Sequence, residues 1–279
     1  MQQPEKLPLS KQLTYATGMM GWAVMFAIVA VMQPYFFIPP ENSGLTSLLP
    51  SGSYFIIFSA LAIIILSGRV WDAITDPLVA YLSDKSKNPE GRRIPFMKYS
   101  LLPLLVFSVL MFMPIHQYES SSNAWWLALI QFFFYVSLTV YIIPYNALLP
   151  EFSHSTDEKQ RLVTMQALTF MVGLMVGSST PVLADLIQNT FGVAERFRAV
   201  QYAIWAMFTV GVFLMAVPVF SINEKKYCVG KPLATPLLPA LKHALKERNF
   251  RYFIVADCTY YTAIAIIVGS LLYLSLIHI

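Results

Sequence analysis

Three charged residues stand close together in an otherwise apolar part of the sequence. Arg69, Asp72 and Asp76 lie within residues 53–83, which we predict to be a membrane-spanning helix. Their i, i+3 and i+7 spacing places all three on one face of that helix. A charged side chain at the centre of a spanning helix costs about 2.5–3.5 kcal/mol, so such residues are usually functional. The triplet is therefore the first candidate site.

One carboxylate of this triplet has no partner in its own helix. Arg69 can neutralise one acid, most simply Asp72 one turn away, and can balance charge whenever the site is empty. An uncompensated carboxylate in a membrane takes up a proton or coordinates a cation. Hydroxyl oxygens nearby favour a hard cation such as sodium, for which the two aspartates would be the metal ligands. The predicted cation ligands are Asp72, Asp76, Thr75 and Thr139. The alternative is a structural salt-bridge cluster.

The composition restricts the kind of protein that carries this site. Of the 279 residues, 57% are hydrophobic and only 12% are charged, and the mean hydropathy is +0.59. Soluble domains carry about twice that charged share, and disordered chains are far more polar. Two cysteines cannot form a disulfide framework. The basic residues fall in short breaks between apolar runs, which argues against nucleic-acid binding.

Long apolar runs predict an all-α, polytopic membrane protein. About 20 apolar residues are enough to cross the hydrocarbon layer as a helix. The runs are too long and too continuous for the strands of a membrane barrel. The seven predicted spans are 12–38, 53–83, 96–114, 124–149, 162–187, 199–220 and 251–279.

Lysine and arginine residues predict the orientation of these spans. They are numerous in the connections 84–98 and 221–251, whereas the connections on the opposite side hold only Arg196 and Arg198. Cytoplasmic loops carry the excess of positive charge. We therefore expect an integral protein of the plasma (inner) membrane with a cytoplasmic N-terminus.

The polar connection near residue 230 predicts the domain organisation. We expect a six-helix bundle over 1–220, a basic cytoplasmic linker over 221–250, and the first helix of an incomplete C-terminal bundle over 251–279. Part of the linker has the pattern of an amphipathic helix that meets anionic membrane lipid. The last apolar run does not end in a polar segment, so we expect a truncated chain in which residues 274–279 are not native.

The fourth predicted span contains polar groups that could bind a solute. Pro144 kinks that helix, and freed polar groups are tolerated only against protein or a water-filled cavity. Two tyrosine hydroxyls and an amide stand beside this proline, and the fifth span adds a polar residue near its start. These candidates are Tyr141, Tyr145, Asn146 and Gln166. The alternative is a kink that serves helix packing.

Several motifs of the chain resemble those of a known transporter family. The sequence RVWDAITDP at 69–77 resembles the second-helix signature of the glycoside–pentoside–hexuronide:cation symporters, which belong to the major facilitator superfamily. LSDK at 82–85 with GRR at 91–93 is similar to the superfamily's loop motif, and IPYNALLPE at 143–151 is similar to the family's fourth-helix ending. The resemblance implies that the chain is the N-terminal half, plus one helix, of a melibiose-carrier-like symporter.

The resemblance also implies a cation site. The family places its coupling cation between two aspartates of helix two and a threonine of helix four, which match Asp72, Asp76 and Thr139. Thr75 stands where members normally have asparagine, so the ion stays open among sodium, proton and lithium. The charged sugar contacts of the melibiose-carrier-like branch are absent, since uncharged residues stand at the matching positions. Trp22 offers an aromatic face on which a sugar ring could stack.

These observations predict a secondary active transporter rather than an enzyme. We expect cation-coupled symport of a sugar, glycoside or related small polar solute, with sodium or a proton as coupling ion and no other cofactor. Two alternatives remain open: a lipid or lysolipid carrier of the same fold, and a non-transporting membrane sensor or scaffold.

Overall fold

The fold is all-α and is divided between two compact units. The computed structural model describes residues 5–40, 43–50, 53–54, 58–228 and 237–277. The first unit spans Met1–Pro232 and the second spans Leu233–Ile279. The prediction of an all-α polytopic membrane protein is confirmed.

In the residues that the structure describes, the first unit contains seven long helices or helix segments and one short helix. They are α1 Leu9–Phe37, α2 Ala60–Lys85, α3 Ile94–Met111, α4 Ser121–Phe152, α5 Thr156–Ser178, α6 Thr180–Phe191, α7 Arg196–Ser221 and α8 Glu224–Tyr227. Two strands of two residues each, β1 Ser53–Tyr54 and β2 Phe58–Ser59, pair antiparallel just before α2. Serine side chains cap several of these helices: Ser59 Oγ accepts the Ala62 N–H at 3.2 Å at the start of α2.

Five helical stretches of the described residues are long and apolar enough to cross a membrane: α1, α3, α4, α7 and the joined stretch Thr156–Phe191. That joined stretch contains α5 and α6, which are separated at Ser179 because Pro181 begins a new helix rather than continuing the old one. The predicted second span, α2, is not among the five because it holds the charged triplet. With 26 residues it is about 39 Å long, enough to cross the hydrocarbon layer.

The helices of the first unit pack around α1 and α4. α1 packs against α5 and α7, whereas α4 packs against α2 and α3. Close contact between α1 and α5 depends on two glycines: a Cβ at Gly173 would lie 2.4 Å from the Met20 carbonyl oxygen, and one at Gly177 would lie 2.7 Å from that of Val24. Small residues with this spacing let membrane helices approach closely. The core between these helices is apolar and aromatic, and its largest fully buried side chains include Tyr15, Tyr141, Tyr145, Phe36, Phe112, Phe134 and Phe208.

The second unit contains α9, Leu237–Lys246, and α10, Arg248–Ile277. α10 is the predicted seventh span and is not among the five stretches above. Residues 229–236 of the predicted linker lie outside the described residues, as do residues 278–279 of the segment expected to be non-native. The predicted domain boundaries at 220 and 250 stay predictions.

Candidate cation site on the second and fourth helices

The second and fourth helices run parallel and meet along a line of polar contacts. Toward their N-terminal ends, the Gln131 side-chain N–H donates to the Ile64 carbonyl at 3.4 Å. Twelve residues further along α2, the Thr139 hydroxyl donates to the Asp76 carboxylate at 3.1 Å. Residue numbers rise together on the two helices, so the helices run parallel, and the Asp76 contact shows that the face of α2 with the triplet is turned toward α4. We call this line of contacts, with Arg69, Asp72, Asp76, Tyr135 and Thr139, the α2–α4 seam.

Arg69 and Asp72 form a single, long ion pair within α2. The Arg69 Nη1 atom lies 3.5 Å from the Asp72 Oδ2 atom, and the Arg69 side chain is 60% exposed. This geometry leaves the carboxylate of Asp72 open to a second positive partner, since one long contact does not use its acceptor capacity. Together with Asp76, the two acids and one base carry one uncompensated negative charge.

Thr75 and Thr139 use their hydroxyl protons differently. Thr139 is buried and donates across the helix interface to Asp76. Thr75 is half-buried and donates to the Trp71 carbonyl of its own helix at 3.0 Å. A threonine one turn after a carbonyl commonly bonds back to it in this way. The structure thus brings Thr139 to the acids and directs the Thr75 proton away from them, although the Thr75 oxygen keeps its lone pairs.

Three of the predicted solute-binding residues form one buried group that joins four helices. Tyr145 donates its hydroxyl proton to the Tyr15 carbonyl at 2.7 Å and Tyr15 donates to the Tyr145 carbonyl at 2.6 Å. The Gln166 side-chain N–H donates to the Tyr145 hydroxyl at 3.1 Å. Tyr141 donates to the Met215 carbonyl at 2.7 Å. These polar groups therefore hold α1, α4, α5 and α7 together in this conformation.

The other two predicted solute-binding residues lie away from this group. Asn146 is exposed on α4. Trp22 is half-buried and stacks on two phenylalanines, with ring centroids 5.7 Å from Phe26 and 5.5 Å from Phe170. The structure does not gather the five candidates into one polar pocket. The sequence analysis did not single out Tyr15. Its only sequence signal is its position in a long apolar run, which is typical of a side chain that packs inside the helix bundle.

A second charged group lies where α2 and α4 end and α3 begins. Arg93 Nη2 lies 2.9 Å from carboxylate oxygens of both Asp84 and Glu151, and Arg92 Nη2 lies 2.9 Å from Glu151. Glu224, which begins α8, accepts the backbone N–H groups that start α3, at 2.8 Å from Arg92 and 2.9 Å from Arg93. We call these five residues the end cluster.

The position of Glu224 is tightly fixed by the turn that it contacts. Gly91 has φ +138°, and a Cβ there would lie 2.3 Å from the Glu224 carboxylate. A glycine is required because it tolerates this φ and leaves room for the acid. The motif residues 82–85 and 91–93 marked this loop in the sequence, but the part played by Glu224 was missed. Its sequence signal was that it is the first acid after the predicted sixth span.

Comparison with known proteins identifies the family. The family described as MFS/sugar transport protein matches residues 14–277. The "Uncharacterized symporter sll1374" of Synechocystis is 29% identical over 201 residues, covering 69% of this chain and 33% of that protein. The "Sodium-dependent lysophosphatidylcholine symporter 1" of Xenopus tropicalis is 30% identical over 119 residues, covering 42% of this chain and 22% of that protein.

A third relative, the "Uncharacterized symporter YnaJ" of Bacillus subtilis, is 21% identical over 189 residues, covering 67% of this chain and 38% of that protein. The matched region is therefore less than two fifths of each of these relatives. The family match, in contrast, extends over most of this chain. The helical bundle, the membrane-crossing helices and this match together show that the chain is an integral membrane protein of the MFS/sugar transport protein family, a family of transporters and not of enzymes.

Proposed function

We propose that this protein is a cation-coupled symporter whose coupling ion binds between Asp72, Asp76 and Thr139. The observation that carries the proposal is the 3.1 Å contact between Thr139 and Asp76 across the α2–α4 seam. It places a hydroxyl oxygen of one helix beside a carboxylate of another, within reach of the second acid one turn away. Oxygen ligands of this kind suit a hard cation, and Thr75 could add a further oxygen.

The charge of the seam supports a single monovalent ion. Arg69, Asp72 and Asp76 sum to one negative charge, which one sodium ion or one proton neutralises. A neutral site costs less to carry through the low-dielectric part of a membrane than a charged site does. Binding of the ion therefore favours the conformational change that moves the solute, and the reciprocal effect makes solute binding favour the ion. In this scheme Arg69 approaches Asp72 when the ion leaves.

We further propose sodium as the coupling ion, with a proton as the alternative. The mixed carboxylate and hydroxyl set supports sodium, and so does the relative named as sodium-dependent that is 30% identical over 119 residues. The excess of lysine and arginine in alternate connections supports a cytoplasmic N-terminus in the plasma membrane, with the end cluster on the same side.

For the solute we propose a sugar or a related small polar molecule. The description of the matched family supports this class. A second candidate is a lysolipid-like amphiphile, which the stacked rings of Trp22, Phe26 and Phe170 favour because they offer an apolar aromatic surface. Relatives named as lysophosphatidylcholine symporters and as a sphingosine-1-phosphate transporter lend support to this second class.

Uptake by the full-length protein in proteoliposomes tests both parts of the proposal. Labelled sugars and labelled lysophosphatidylcholine are offered with a sodium gradient, with a proton gradient and with neither. We expect gradient-dependent uptake of one solute class, and we expect Asp72→Asn and Asp76→Asn to abolish the dependence on the ion. Asp157→Asn, at an exposed position of α5, is the matched control and leaves uptake unchanged. If both seam variants accumulate solute like the parent protein, the proposed cation site is wrong. If the parent protein itself transports no solute, the result favours the alternative of a membrane sensor or scaffold.

A further inference from the structure

Tyr135 lies beneath the arginine of the α2–α4 seam, and it was not among the predicted site residues. The guanidinium carbon of Arg69 is 6.0 Å from the centroid of the Tyr135 ring. The ring is buried, with 8% of the residue exposed. Arg69 therefore stands between two attractive partners, the face of this ring and the carboxylate of Asp72 at 3.5 Å.

The structure builds a slot for this ring directly beside Arg69. A Cβ at Gly68 would lie 2.7 Å from Tyr135 Cε2 and 3.0 Å from Tyr135 Cδ2, so only glycine leaves room for the ring against α2. One turn earlier on each helix, the hydrogen bond from Gln131 to the Ile64 carbonyl keeps α4 against α2. Gln131 is in turn bonded to Gln33 of α1 at 2.5 Å, and both amides are buried.

We propose that Tyr135 is a positioning residue that holds Arg69 where an incoming cation can displace it from Asp72. The proposal rests on the cation site proposed above. A cation between the two acids repels the guanidinium, which then needs another favourable place close by. The negative face of an aromatic ring supplies such a place. Without the ring, the Asp72 carboxylate is the main attractive partner of Arg69. Arg69 then competes more strongly with the cation for this carboxylate, so the cation binds less tightly.

The experiment measures cation affinity through the thermal stability of the purified full-length protein. A ligand that binds the folded state raises the melting temperature with its concentration. Sodium chloride, lithium chloride and pH are varied in turn, with choline chloride keeping the ionic strength constant. Asp76→Asn is included as the variant without a site.

We expect Tyr135→Leu to raise the cation concentration for half-maximal stabilisation by about two- to fivefold, the change expected for an exposed cation–π pair. Tyr135→Phe keeps the ring and keeps the parent's affinity. A merely structural role would not depend on the arginine, so both changes are repeated with Arg69→Gln. In that background we expect Tyr135→Leu and Tyr135→Phe to bind the cation equally. Tyr135→Met, which keeps bulk without an aromatic face, replaces the leucine variant if that variant does not fold.

The outcomes separate this inference from the proposed function. If the parent protein responds to a cation and Asp76→Asn does not, the cation site stands. Within that result, unchanged affinity in Tyr135→Leu, or a loss that persists in the Arg69→Gln background, overturns the role of Tyr135. A parent protein that responds to none of sodium, lithium and pH overturns the cation site and this inference together.

Discussion

The α2–α4 seam and the end cluster both combine arginine with acidic side chains, yet they differ in how many close contacts the arginine makes. In the end cluster, the Arg93 side chain is 9% exposed and lies 2.9 Å from two carboxylates. In the seam, the Arg69 side chain is 60% exposed and makes one contact of 3.5 Å. The end cluster therefore holds helix ends together, whereas the single long contact in the seam supports the cation binding that we propose there.

The backbone adds to this difference. Glu224 is 3% exposed and accepts the N–H groups of Arg92, Arg93 and Ile94 at the start of α3. These groups have no partner within the helix, and an acid at a helix N-terminus is also favoured by the helix dipole. In the seam, by contrast, Asp76 accepts a hydrogen bond from the side-chain hydroxyl of Thr139. In the proposed site, a cation shares or replaces this hydrogen bond. Similar residue types thus make many close contacts in the end cluster and few in the seam, which is the difference that the proposed cation site depends on.

The largest effect on stability is expected for Arg93→Ala. Removing one partner of a buried ion pair leaves the other charges uncompensated and costs about 3–5 kcal/mol. The free energy of unfolding, or the melting temperature in detergent, measures this loss. Lys98→Ala is the control, because the Lys98–Glu90 pair is exposed and such pairs contribute about 1 kcal/mol or less. Equal losses in the two variants would contradict the structural role of the end cluster.

A smaller loss is expected for Glu224→Gln. Hydrogen bonds to a charged acceptor are worth about 1.5–3 kcal/mol, and the amide keeps the shape but not the charge. Glu195→Gln is the matched control, since Glu195 lies 3.9 Å from Arg198 and its side chain is 68% exposed. The melting temperatures of the two variants are the measurement. If Glu195→Gln lowers the melting temperature as much as Glu224→Gln does, Glu224 does not fix the start of α3.

In the seam, Thr139→Val is expected to weaken cation binding while Thr139→Ser preserves it. Valine keeps the volume and removes the hydroxyl, and a hydrogen bond or ligand of this kind is worth about 0.5–1.5 kcal/mol, up to about tenfold in affinity. The sodium concentration that gives half-maximal uptake is the measurement. If valine and serine behaved alike, the hydroxyl would not be a ligand.

Arg69→Gln gives the sharpest contrast with Arg93→Ala. We expect a smaller loss of unfolding free energy than for Arg93→Ala, because Arg69 makes one ion pair at 3.5 Å whereas Arg93 lies 2.9 Å from two carboxylates. The cation dependence of uptake is expected to change instead. A large loss of stability would place the seam in the same structural class as the end cluster.

The smallest effect concerns the thiol of Cys228, beside the end cluster. Partial burial raises the pKa of Cys228 above its ordinary value, and the nearby charges of Glu151 and Glu224 raise that pKa further. The thiolate is the reactive form, so at a given pH Cys228 should react with maleimide more slowly than an exposed thiol. The rate should keep rising with pH beyond about 8.5, where an ordinary thiol levels off. Labelling of a Cys258→Ser variant across pH measures this, and Glu224→Gln is expected to speed the reaction.

The sequence alone determined the membrane class of this protein, the family it resembles and the acids that share one face of α2. Each of these depends on local information: the length of apolar runs, a short motif, and the 3.6-residue period of a helix. That Arg69 could pair with Asp72 followed from the same period.

Only the tertiary structure decided which helix meets that face and which polar groups are already engaged. The helical period tells which residues share a face of α4 with Thr139, but not which helix that face meets. Long-range packing turns the face toward Asp76. The same packing joins Tyr145 to Tyr15 and brings Glu224 to Ile94 at the start of α3. In both cases the two residues are 130 positions apart in the sequence. Such contacts depend on the fit of many side chains at once, which no short stretch of sequence contains.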